Sequence, residues 1–156
     1  MIALLRANLD LIQTAIALLG LVGTVIALWY AGRQLRDSKR SAQGDFLFRF
    51  DEMLNRYDSI HKQLRPGGGW TSGKPITLDD WPDVERYMGL FERVKILIDD
   101  GFIDIDTFDR LYGYRIDNIT NNQQIKTEKL IKRAYGWKDF NALVQALERR
   151  RKRGTR

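Results

Sequence analysis

The sequence predicts an all-α protein: one N-terminal transmembrane helix followed by a small cytoplasmic bundle of about four or five helices. Three observations carry this. Residues 11–32, LIQTAIALLGLVGTVIALWYAG, contain no charge. Apolar residues recur at 3- and 4-residue spacing through most of the rest of the chain, and no convincing period-2 run appears. The chain divides into a short N-terminal segment (1–10), the span (11–32), a juxtamembrane and first cytoplasmic helix (33–65), a Gly-rich loop (66–80), a helical domain (81–148) and a basic tail (149–156).

A helix over residues 11–32 would rise roughly 33 Å at ~1.5 Å per residue, enough for a hydrocarbon core of about 30 Å. Trp29 and Tyr30 stand at one end, where amphipathic rings prefer the interface. They also occupy the place where a cleaved signal peptide needs small residues. A buried helix of a soluble protein is the alternative, but 22 uncharged residues is long for one. The C-terminal flank carries Arg33, Arg36, Lys39 and Arg40 against Arg6 on the other side. The positive-inside rule therefore predicts residues 1–10 outside and the C-terminal domain in the cytoplasm.

The span has a face of small and weakly polar residues: Gln13, Ala17, Gly20, Thr24, Ala27 and Ala31, widened by Gly23. Small residues let helices approach closely in lipid. The face reads either as a helix–helix contact, with a second copy or another membrane protein, or as chance in a Gly- and Ala-rich span.

Beyond the span, Phe46, Leu47, Phe50, Met53, Leu54, Tyr57, His61 and Leu64 keep helical spacing. Gly44 could break this helix at about 1 kcal/mol relative to Ala. Otherwise one helix runs to Arg65, where Pro66 and three glycines end it. Thr77-x-x-Asp80 before Trp81-Pro82 predicts a capped second helix, stopped by Asp99-Asp100-Gly101. Asp104 or Asp106 should cap a third. A fourth is expected over roughly 125–135 and a fifth over about 139–150.

The chain has no cysteine and one histidine. This excludes disulfides, thiolate catalysis and Cys-ligated metal sites, and leaves Ser-His-Asp chemistry improbable. The net charge is +6 over 156 residues. Residues 1–40 carry +3, residues 41–148 carry −3, and the tail RRRKRGTR holds six cations: Arg149, Arg150, Arg151, Lys152, Arg153 and Arg156. A basic binding face on the folded body is not indicated. Anionic lipid is the first expectation for the tail, a solubilising role the second and nucleic acid the third.

The stretch GGGWTSGKP reads G-x-x-x-x-G-K from Gly68. A phosphate-binding loop needs a preceding strand and a hydroxyl after its lysine. Here a helix precedes and Pro75 follows, so a turn between helices is expected. Asp99-Asp100-Gly101 echoes a calcium loop, but Ile96, Ile98 and Thr107 fall where oxygen ligands belong. His61, on an apolar face, reads as a core or interface residue. Glu92 and Arg115, on neighbouring inward faces, predict a structural ion pair. Trp70 and Trp81, expected to be exposed in or beside the loop, are candidate partner contacts. No catalytic, cofactor-binding or metal-ligating residues stand out.

The segment FERVKILIDDGFIDIDTFDRLYGYRI, followed by a helix around Trp137-Lys138-Asp139-Phe140, resembles an uncharacterised bacterial family of small proteins. Its marks here are Phe91-Glu92, Gly101-x-Ile103-Asp104 and Leu111-x-Gly113-x-Arg115. The resemblance implies one N-terminal span in the bacterial inner membrane and a helical cytoplasmic region. It implies no activity. The expected function is a single-pass membrane protein whose cytoplasmic domain is an interaction or scaffolding module. The alternatives are a membrane-tethered nucleic-acid binder using the tail and, third, an enzyme with an unrecognised site.

Overall fold

A computed structural model describes residues 2–154, and the side chains of residue 21 and of residues 23–154. Every regular element among the described residues is helical. In order these are α1 (Ile2–Asn55), α2 (Asp58–Leu64), α3 (Trp81–Asp99), α4 (Ile105–Asn121), α5 (Gln123–Ile125), a π-helical turn (Lys126–Ile131) and α6 (Lys138–Gly154). The chain divides into two units, Met1–Asp45 and Phe46–Arg156.

In the first unit α1 passes through Gly32 and Gly44 without a break. Leu21, Val25, Ile26, Leu28, Trp29 and Tyr30 are exposed on it. Trp29 and Tyr30 meet edge to face with ring centres 5.3 Å apart, and the Arg33 guanidinium lies 5.9 Å from the Trp29 ring centre. Among the described residues no helix is long and apolar enough to cross a membrane. The side chains of the first half of the uncharged stretch, Gln13, Ala17 and Gly20 among them, lie outside the described residues. Of the remaining seam, Gly23, Thr24, Ala27 and Ala31 are exposed, and a methyl group at Gly23 would meet nothing within 4 Å.

The second unit is built around an aromatic core. Phe50, Tyr87, Phe91, Phe108 and Phe140 are all but fully buried, with Tyr112 close behind. Phe50 from the end of α1 meets Tyr112 and Phe91 edge to face at 5.0 and 5.9 Å. Phe91 of α3 also meets Phe140 of α6 at 6.5 Å, and α3 packs most extensively on α6. Edge-to-face pairs match the positive ring edge to the negative face, adding to what burial contributes.

Local sequence explains most boundaries. Asp80 accepts hydrogen bonds from the Thr77 amide (3.0 Å) and hydroxyl (2.7 Å), which closes the turn before α3 but does not cap the helix as expected, since no side chain bonds its first amides. Gly101, with φ of 63°, ends α3: the Phe102 amide donates to Leu97 and the Gly101 amide to Ile98. This is the Schellman pattern, which needs a left-handed residue that glycine supplies without strain. Asp104 accepts from the Thr107 amide at 2.9 Å and caps α4. That bond holds the Asp104 carboxyl below its ordinary pKa.

Two boundaries differ from the expectation. The first helix breaks at Arg56–Tyr57, short of Arg65, where the Tyr57 amide donates to Leu54 three residues back. The resumed helix turns Ile60, His61 and Leu64 inward while Tyr57 is half-buried. The expected fourth helix is one α-turn followed by a π-turn, in which the Lys132 amide reaches back to Thr127. The wider turn puts Ile125, Lys129 and Leu130 on the inner side together. Packing overrides helical propensity at both places.

Candidate functional site

The Gly-rich loop closes on itself. The Gly68, Trp70, Ser72 and Lys74 amides donate to backbone carbonyls of residues 63–69, and the Gly69 amide donates to the Gln63 side chain at 3.1 Å. A phosphate cradle needs such amides free and convergent; here these donors are already used. Gly67 and Gly73 have φ of 82° and 95°. A methyl group at Gly68 would collide with the Lys62 and Gln63 carbonyls. The glycines serve the chain reversal.

This folded loop forms one wall of a shallow groove of about 370 Å³, lined by Trp70, Lys74 and Pro75 on one side and the amides of Asn121–Gln124 on the other. The walls are tied together: Asn122 Nδ2 donates to the Trp70 carbonyl and Gln124 Oε1 accepts from the Ile76 amide at 2.7 Å. A second groove of about 500 Å³, lined by Leu78, Trp81, Pro82, Glu128 and Arg133, shares Gln124 with the first. Trp70 and Trp81 therefore differ from the expectation of exposed anchors. Both are half-buried and pack against the core. Lys129 Nζ sits 4.4 Å from the Trp81 ring centre and pairs with Glu85. Leu78, in the second groove, is an exposed large apolar residue at this surface, 88% accessible.

Glu92 and Arg115 do not form the expected ion pair. Glu92 reaches from α3 to the start of α6 and accepts from the Phe140 backbone, while burial raises its pKa. A carboxylate suits the free amides and positive dipole end of a helix. Arg115 instead donates to the Tyr114 hydroxyl at 3.0 Å and the Tyr87 hydroxyl at 3.2 Å. Tyr87 Oη lies 3.3 Å from His61 Nδ1. The Tyr87 hydroxyl therefore joins Arg115, from which it accepts, to the His61 imidazole. Burial, then the nearby Arg115 and Arg65 charges, lower the His61 pKa to about 4, against a smaller opposing pull from Asp58. Burial also raises Tyr87 to about 12. His61 is a satisfied core residue, as its apolar face suggested.

The basic tail differs most. α6 continues to Gly154, so Arg149, Arg150, Arg151, Lys152 and Arg153 lie on a helix; Arg156 is outside the described residues. Arg150 pairs with Asp106 and, at 2.9 Å, with Asp109. Arg151 pairs with Asp109 at 2.6 Å and Asp117 at 2.8 Å. The Arg151 hydrogen bond holds the Asp109 carboxyl below its ordinary pKa. Gly113 makes the room: a methyl group there would meet the Asp109 carboxylate and lie 2.6 Å from Arg151 Nη2. The signal was in the sequence. Asp106, Asp109, Gly113 and Asp117 follow 3- and 4-residue spacing and share one face of α4.

Among the described residues no group of three or more acids and histidine could hold a metal ion. No family model, curated protein or solved structure matches the chain.

Proposed function

We propose that the protein is a single-pass inner-membrane protein whose helical cytoplasmic unit serves as an interaction or scaffolding module. The observation that carries the membrane part is the exposed apolar stretch of α1. Leu21, Val25, Ile26 and Leu28 are 61%, 59%, 52% and 68% accessible, and the sequence N-terminal to them is uncharged back to Leu11. Such a surface suits lipid, and the arginines and lysines that follow suit the cytoplasmic headgroups. The family resemblance points the same way.

The interaction part rests on the paired grooves lined by the half-buried rings of Trp70 and Trp81, the first beside the side-chain amides of Asn121–Gln124 and the second beside Glu85, Glu128, Lys129 and Arg133. Leu78, in the second groove, is the anchor a partner would cover. The seam over Ala27 and Ala31 offers contact with a second copy or another membrane protein. Nucleic-acid binding by the tail is weaker than the sequence suggested, because Arg150 and Arg151 are already paired with carboxylates. The test is fractionation followed by crosslinking. The full chain should stay with membranes through alkaline carbonate, and Leu21→Asp with Ile26→Asp should release it. A photocrosslinker at position 78 should give a discrete adduct in native membranes. No adduct at 78 would remove the groove from the reading.

A further inference from the structure

The corner formed by residues 126–138 joins the π-turn to α6. It holds Lys126, Lys129, Lys132, Arg133 and Lys138 against one acid, Glu128. Lys129 is buried on Glu85, and Lys132 pairs with Glu128 at 2.6 Å. Lys126, Arg133 and Lys138 are exposed and form no salt bridge among the described residues. At the same corner two apolar side chains stand in solvent: Ile131, 63% accessible, and Tyr135, 93% accessible. The core does not use them. The turn is held from beneath instead, by Trp137 and Leu130 packed on the core and by Asn141 Nδ2 donating to the Leu130 carbonyl.

We propose that this corner is a docking surface for an anionic lipid bilayer, with Tyr135 and Ile131 entering the headgroup boundary and Lys126, Arg133 and Lys138 meeting lipid phosphates. The charge is complementary, since each Lys or Arg at an anionic leaflet favours contact about fivefold. The apolar pair distinguishes lipid from nucleic acid. A tyrosine ring and an aliphatic side chain both gain from the interface, whereas Ile131 gains nothing from a phosphodiester backbone. The corner is preferred to the tail because two tail arginines are already neutralised on α4. The inference rests on the membrane reading above, which places a bilayer within reach of the unit.

The chain has no cysteine, so Tyr135→Cys gives one labelling site at a position the fold does not use. The full chain carrying a fluorophore there is reconstituted with phosphatidylcholine vesicles or with phosphatidylcholine–phosphatidylglycerol vesicles. A nitroxide on the acyl chain reports entry into lipid and iodide reports water. The expected result is nitroxide quenching with phosphatidylglycerol and iodide quenching without it. Arg133→Gln with Lys138→Gln should weaken docking about 25-fold, while Lys152→Gln with Arg153→Gln should leave it unchanged. Iodide quenching on both vesicles overturns the inference, as does dependence on the tail pair, or a response to an oligonucleotide with none to anionic vesicles. Carbonate extraction of the same samples reads the tether separately. A chain that resists carbonate with its probe in water loses the docking surface and keeps the span. A chain released by carbonate whose probe still enters anionic lipid loses the span and keeps the docking surface.

Discussion

His61 shows how one side chain ties stability to pH. Its pKa falls from 6.5 unfolded to about 4 in the fold. Between those values the unfolded chain binds the proton and the folded chain does not, so stability drops as pH falls through that window and is complete above it. At pH 5 the loss is roughly 2 kcal/mol. Denaturant unfolding of the full chain in detergent at pH 7.5 and pH 5 should show it, and His61→Gln should narrow the difference. Gly113 makes a second case. Alanine there would gain about 1 kcal/mol of helix propensity, yet its methyl group would displace Arg151 from Asp109. Gly113→Ala should therefore not stabilise the protein. Arg151→Met should cost about 1 kcal/mol, discounted for a side chain 38% accessible to solvent. The two changes should be non-additive in a double-mutant cycle, because both break the same contact.

At the scale of elements, the ends of α3 and α4 were legible because their signals are local: Asp80 bonded to Thr77, Gly101 in the left-handed region and Asp104 capping Thr107. The break at Arg56–Tyr57 and the π-turn were not. No proline or glycine marks either place, and tertiary packing of Ile60, Leu64 and Lys129 sets them. The candidate site was half legible. The loop's glycines mark a chain reversal, but nothing in the sequence shows that the loop folds its tryptophans back on the core. Glu92 and Arg115 were paired by proximity of faces alone. The fold satisfies each elsewhere, Glu92 on the start of α6 and Arg115 on two tyrosine hydroxyls. The α4–α6 seam carries a prediction of its own. Replacing Asp109 with Asn should free the end of α6, seen as faster amide exchange from residue 147 onward with α3 unaffected.

The molecule as a whole combines a long N-terminal helix with exposed apolar side chains and a helical unit with its own aromatic core. On the proposed membrane reading, the uncharged stretch and the cations after it predict an orientation as well as a location. Because the chain lacks cysteine, Ala3→Cys and Ser72→Cys can each be probed alone with a membrane-impermeant maleimide. In intact bacterial cells Ala3→Cys should label at once, and Ser72→Cys only after the inner membrane is opened. Equal labelling of both, or recovery of the chain in the soluble fraction, would contradict a single-pass protein with its helical unit in the cytoplasm.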